Sequence, residues 1–227
     1  MPLRPQLLTD IRSRLTAISA VNLTVASAAS DIYEAYNFAL LVEAAEREGA
    51  AIRFQDIREQ PVTQLVFRTS PGRIFLPQPP LPQVLYTHAV AEFPDKPGLE
   101  LHQGIYVSGK SGLLHECDVA VLLRAEAQTC RRERVSPRCA KVVLATECKF
   151  YASGLGINLA RGFLGLTSDI WTDGRFFISN ISSMPVRKLL THHRRAWSNN
   201  LRPSNPVVLN RLRSLFERIL EEFNARY

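Results

Sequence analysis

No two of the four cysteines, Cys117, Cys130, Cys139 and Cys148, are separated by the short gap of a zinc knuckle, which argues against a zinc module. Nor does any apolar run reach the length of a membrane-spanning helix, so a membrane partner is not expected. The chain also lacks an internal repeat and any linker rich in Pro, Gly or Ser that would mark a second domain. Acidic residues are in deficit, 21 against 28 Lys and Arg, giving a formal charge of +7 that favours an anionic partner, nucleic acid before membrane. With 227 residues and 46% hydrophobic content, one domain with one sizeable core is the expectation.

Arg12 and Arg14 precede a small-residue stretch, Leu15 to Ala29, that resembles a secretory signal. Thr16, Ser19, Asn22 and Thr24 dilute it, while Leu7, Leu8, Ile11, Leu15 and Ile18 recur at helical spacing, so an amphipathic helix is the preferred reading. Cysteines on apolar strand faces behave as small buried hydrophobes, and reduced core thiols suit a cytoplasmic protein.

Ser30 to Gly49 is the best-marked helix, with Ser or Asp as its cap and Gly49 as its stop. Glu34 lies on the stripe of Phe38, Leu41 and Ala45, where it either points inward or complements the helix dipole. Short strands are predicted at Ala51 to Phe54, Gln64 to Arg68 and Arg73 to Leu76. Pro77, Pro79, Pro80 and Pro82 then impose an extended connection, and strand patterns resume over Val84 to Phe93 and Leu99 to Val107.

Gly104-Ile105-Tyr106-Val107-Ser108-Gly109-Lys110-Ser111 matches the Walker A spacing literally. A phosphate loop must open a helix, whereas here Ile-Tyr-Val fills the loop and another strand follows, so a hairpin turn is the better reading. Lys110 is left free to contact phosphate or solvent.

The centre of the chain is the pair of segments His115 to Leu123 and Val142 to Phe150, apolar strands interrupted by charge. Alternation sets Asp118 opposite Cys117, Val119 and Val121, and sets Glu147 and Lys149 on a face that Cys148 does not share. Paired strands would bring these charges together. Asp118, Glu147 and the main-chain carbonyl of Cys148 then form a shell for Mg²⁺, with Mn²⁺ as a substitute, and Lys149 orients a water or stabilises developing negative charge. Glu116, His115, Glu100, His102 and Gln103 are further polar residues that approach the site if their strands adjoin it.

In Asp118 within one apolar strand and Glu147-Cys148-Lys149 ending the next, the chain resembles the PD-(D/E)xK nuclease superfamily. The resemblance implies a restriction-endonuclease-like fold, an α/β domain with a mixed central sheet flanked by helices. Its core would run from about residue 30 to residue 181, with an N-terminal helical extension and a basic helical extension over 184–227. It also implies a metal-dependent nuclease, with DNA favoured over RNA and Glu34 as an added acidic residue from the first core helix. Cys117 stands where the family carries proline, and the interval between Asp118 and Glu147 is long for the family.

That interval, Arg124 to Arg138, reads as a basic hairpin loop able to reach phosphate. Ile157 to Leu166 reads as a crossover helix with Asn158 and Arg161 as candidate phosphate contacts, followed by a parallel strand from Arg175 to Ser179. Pro206 to Tyr227 is an amphipathic helix that packs on the core or on another subunit, which leaves a homodimer open. The alternative to a nuclease is a catalytically inactive module of the same fold that binds nucleic acid or a partner protein.

Overall fold

The computed structural model describes residues 3–81 and 83–227; Pro82 of the proline-rich connection lies outside them. Helix α1 (Leu3–Arg14) buries Leu7, Leu8 and Ile11, the stripe that its sequence spacing predicts, against α2 (Ala29–Arg47). Strand β1 (Ala20–Val21), between these helices, pairs in parallel with β3 (Gln64–Leu65), while β2 (Ala51–Asp56) begins the main sheet. Strands β4 (Thr87–Glu92), β5 (Leu99–Ser108) and β6 (Leu114–Leu123) precede helix α3 (Arg124–Glu133). Strand β7 (Val142–Lys149), α4 (Ile157–Asp169), β8 (Gly174–Ser179), α5 (Met184–His192), β9 (Ala196–Ser198) and α6 (Pro206–Arg226) complete the chain.

The result is an α/β architecture with a mixed seven-stranded sheet in the order β2-β4-β5-β6-β7-β8-β9 and helices on both faces. Strands β2 to β7 pair antiparallel along that order. β8 and β9 are parallel to β7, the connection from β7 to β8 passing through α4 as a parallel pair requires. Helix α2 is apolar on almost every side because it lies between the sheet and the two helices α1 and α6. Strand β8 shows how the two faces divide: Phe176 packs edge-on to Phe216 of α6, while Phe177 meets Phe163 of α4 on the opposite side. Among the described residues no helix is long and apolar enough to cross a membrane.

Helix α2 stops where expected, with Gly49 at φ +90 and Ala50 N–H returning to the carbonyl of Ala45. Its start differs: Ala28 is the N-cap and makes no side-chain bond, while Ser30 turns to Asp31 within the first turn. Arg73 to Leu76 forms no strand: β4 covers β5 only opposite Leu99 to Leu101, and beyond that the chain meets the open edge of β5 in a single parallel bridge, Gly72 to Ile105, before turning away.

Two larger expectations are corrected. The C-terminal region is not wholly helical, since β9 extends the sheet beyond β8 before α6 packs back on α2. The basic stretch after Arg124 is a helix rather than a hairpin loop, because it carries an inward side at Ala127, Cys130 and Arg131. Arg131 is not free for phosphate. Its guanidinium grips both oxygens of the fully buried Glu100, at 2.5 and 2.9 Å, and also reaches Glu59. Arg131→Met leaves Glu100 buried without its cation, and a loss of about 3 to 5 kcal/mol is expected by urea denaturation, with nucleic-acid affinity unchanged.

Candidate active site where β6 and β7 part

The site begins where a ladder ends. Strands β6 and β7 pair from Leu122 as far as Val119 opposite Thr146, where Thr146 Oγ1 accepts the Val119 N–H at 3.1 Å, and then they diverge. Beyond that rung the Asp118 carboxylate takes the place of a backbone acceptor: Oδ2 receives the Cys148 N–H at 2.6 Å. The N–H and C=O of one strand residue project to the same side, so the Cys148 carbonyl also faces this gap.

Lys149 closes the group, with Nζ 2.6 Å from Glu147 and 3.3 Å from Asp118. Across the sheet, Gln103 of β5 donates its amide to Glu34 of α2 at 2.8 Å. The four predicted residues Asp118, Glu147, Lys149 and Glu34 are thereby gathered between two central strands and the helix above them. Tyr33, beside Glu34, packs edge-on to Phe150, beside Lys149, and this contact fixes the helix over the end of β7. Asn180 holds the backbone of Tyr151 by its N–H and its carbonyl, both at 2.9 Å, so the chain leaving Lys149 is pinned as well.

The strands' alternation fails at one position. Cys148 joins Val119 and Val121 in the core beneath α2, whereas Cys117 lies in the cluster on the α3 face. The β5–β6 ladder breaks opposite Asp118, where Gly104 adopts φ +62, and beyond that break Cys117 does not share a face with Val119. Both thiols are buried, and burial pushes both well above the ordinary thiol range.

Charge in the site is unbalanced. Burial, with the charge of Asp118 added, pushes Glu34 up to about 8 and Glu147 up to about 7. Burial raises Asp118 too, against the opposing pull of Lys149 and the Cys148 N–H. Burial disfavours the Lys149 ammonium, yet Asp118 and Glu147 hold it above its usual range. Exposed Glu116 also feels burial and the Asp118 charge, and its carboxyl is raised. One ammonium therefore pairs with two buried or half-buried carboxylates, Asp118 and Glu147, while Glu34 is held by Gln103 and feels both Asp118 and Lys149 at longer range.

The remaining candidates fall elsewhere or stay open. Lys110 lies over the Trp171 ring at 4.1 Å, and the Walker-like string is strand β5 followed by a turn. That turn is organised by Asp169, which accepts from Ser111 and binds His115 at 2.6 Å; a Cβ at Gly109 would stand 2.0 Å from the Asp169 carboxylate. His115 is consumed there. Asn158 and Arg161 lie exposed on the first two turns of α4, bonded to each other, at the end of the sheet to which β7 delivers Lys149.

Glu100 and His102 point away from the site, to the α3 face. With His88 they bring ligand atoms within 4.8 Å of one another, a spacing that a transition metal can bridge. Arg131 already neutralises Glu100 there, and burial lowers His88 to about 3, leaving it uncharged.

No family model, curated protein or solved structure matches this chain. The site therefore has to be read from its own chemistry. Sequence reasoning underrated Gln103, whose signal was a lone amide in the otherwise apolar inward row of Leu99 and Leu101; it missed Asn180, for which a residue just past a strand carries no pattern at all.

A carboxyl held above its ordinary range binds a proton in the folded chain that the unfolded chain has already released. The contribution of Glu34 and Glu147 is thus fully present below about pH 4.5 and is lost as pH rises through about 7 and 8. In chelator, Tm is expected to fall between pH 6 and pH 9, with about 2 to 4 kcal/mol lost. Glu34→Gln should remove much of that fall and Mg²⁺ should offset it; a Tm trend that Glu34→Gln leaves untouched rejects the assignment.

Proposed function

We propose that the protein is a metal-dependent nuclease that hydrolyses phosphodiester bonds, with DNA favoured over RNA. The observation that carries this reading is the pairing of Asp118 and Glu147 with a single ammonium, Lys149, in the gap between β6 and β7, with Glu34 near enough to feel the Asp118 charge. Mutually repelling buried carboxylates are destabilising unless positive charge is supplied, and this group holds less of it than the acids require. A merely structural acid would be matched as Glu100 is by Arg131. That contrast disfavours the inactive-module reading.

Asp118, Glu147 and the Cys148 carbonyl are the donors that would hold Mg²⁺ or Mn²⁺, a set of hard oxygens with room left for water and phosphate oxygens. Such an ion supplies, when bound, a water acidic enough to deprotonate near neutral pH and compensation for charge on the phosphate. Asp118 is fixed for this by the Cys148 N–H, which limits its carboxylate to one orientation. Lys149, held by both acids, is placed to orient the attacking water and to donate to a phosphate oxygen. Glu34, oriented by Gln103, adds a carboxyl that can exchange a proton near neutral pH. Arg161 and Asn158 on α4 offer exposed donors for the adjoining backbone.

The order of elements supports the resemblance to the PD-(D/E)xK superfamily, with β2 to β4 added after the helix and α3 added between β6 and β7: helix α2, the antiparallel strands β5, β6 and β7, helix α4, and β8 parallel to β7. The acidic residues and lysine fall on the second and third of those antiparallel strands, as the restriction-endonuclease-like arrangement requires.

The test is incubation with supercoiled, linear and single-stranded DNA and with RNA, in Mg²⁺ or Mn²⁺ and in chelator. Cutting in metal that chelator abolishes is expected, with Asp118→Asn and Lys149→Ala each reducing the rate by at least about a hundredfold. Cleavage that persists in either variant rejects the assignment.

A further inference from the structure

Among the described residues, no acid pairs with the buried cation Arg68. Its residue is 8% exposed, burial lowers its guanidinium to about 10, and no carboxylate raises it again. What holds it is a bond from Nη2 to the Arg73 carbonyl at 2.7 Å and the face of the Tyr86 ring, 4.0 Å from its central carbon. The chain makes space for it at Gly72, where a Cβ would stand 2.4 Å from the Arg68 Nη1. Burying an unpaired charge is unfavourable, so a fold that shapes itself around one is keeping it for an anion.

Arg68 lines a cavity of about 320 Å³ whose walls are otherwise largely apolar, with Phe75, Pro77, Val84 and Tyr86 among them. That volume is within the range of small-ligand pockets and well beyond the needs of a phosphate alone. At its rim Arg73 and Arg134 are stacked on Phe75, which fixes two further guanidinium groups nearby. The cavity wall and the carboxylate site share one side chain. Gln103, whose amide binds Glu34, accepts the Arg68 N–H at 2.8 Å and donates to the Arg68 carbonyl at 3.1 Å.

The geometry points to a pocket that seats one nucleotide of a polynucleotide single strand, its phosphate on Arg68 and its base against the apolar wall. The base must be free of a duplex stack to enter, so single-stranded or flipped-out nucleotides are the class it takes. This inference rests on the nuclease reading for its biological sense, but binding can be measured without cutting.

Fluorescence anisotropy of a labelled oligothymidylate, in chelator, is measured for wild type, Arg68→Met and Val84→Asp. Val84 is 41% exposed, so its replacement leaves the core intact, while Arg68→Met removes an unpaired buried charge and should keep or raise Tm. Each variant is expected to weaken binding at least about tenfold. Thymidine 5′-monophosphate should displace the strand better than thymidine or inorganic phosphate.

Wild-type affinity in both variants overturns the pocket. Equal displacement by inorganic phosphate overturns the base half of the assignment, and a marked fall of Tm in Arg68→Met makes Arg68 structural and overturns the phosphate half. Loss of binding in the variants of a protein that cuts nothing leaves the pocket standing and rejects the nuclease.

Discussion

The Asp118 carboxylate receiving the Cys148 N–H is the contact on which the site depends. Two central strands cannot part inside a sheet without leaving backbone groups unpaired, and an unpaired buried N–H costs about 1 to 3 kcal/mol. Asp118 meets that need with a side chain, so the parting of β6 and β7 is sustained while a charge is drawn into the gap. Lys149 and Glu147 follow from the same arrangement, since β7 carries both beside the residue whose N–H is captured.

Three buried polar groups in this small domain are treated in three ways. Glu100 on the α3 face is matched by Arg131 and His102, which hold its carboxyl below the usual range despite complete burial. The acids around Lys149 are only partly matched and stay raised. Arg68 has no acid beside it among the described residues, and the backbone is cut back at Gly72 to admit it. Removing the partner of a matched buried charge is costly, and an unmatched one carries a desolvation cost that nothing in the fold offsets. Gln103 binds both neighbourhoods, donating to Glu34 and pairing with the backbone of Arg68.

Much of this arrangement was legible in the sequence where periodicity was strong. The α2 stripe, the Gly49 stop, the charged apolar strands and the crossover helix are local patterns, and each appears within a few residues of its expected place. The basic interval after Arg124 was misjudged because charge composition resembles a solvated loop, while its inward positions become visible only once Glu100 is known to need a cation. Arg73 to Leu76 carries a good strand pattern, but the chain pairs with the open edge of β5 only at Gly72, and the Arg73 carbonyl is instead taken by the Arg68 guanidinium.

The sequence by itself determined which residue types were available and on which elements they ride: an acid in one apolar strand, an acid and a lysine in the next, another acid on a buried helix. Alternation and helical spacing are properties of the local backbone, so these assignments needed no partner. Only the tertiary structure decided how they meet. The divergence of β6 from β7 turned Asp118 toward the backbone of Cys148 and brought Lys149 between Asp118 and Glu147, and the break opposite Gly104 separated Cys117 from Val119. It alone also decided that Arg131 is spent on Glu100 while Arg68 is held by a carbonyl and a ring rather than by an acid, because whether a buried charge is paired depends on distances between elements far apart in the chain.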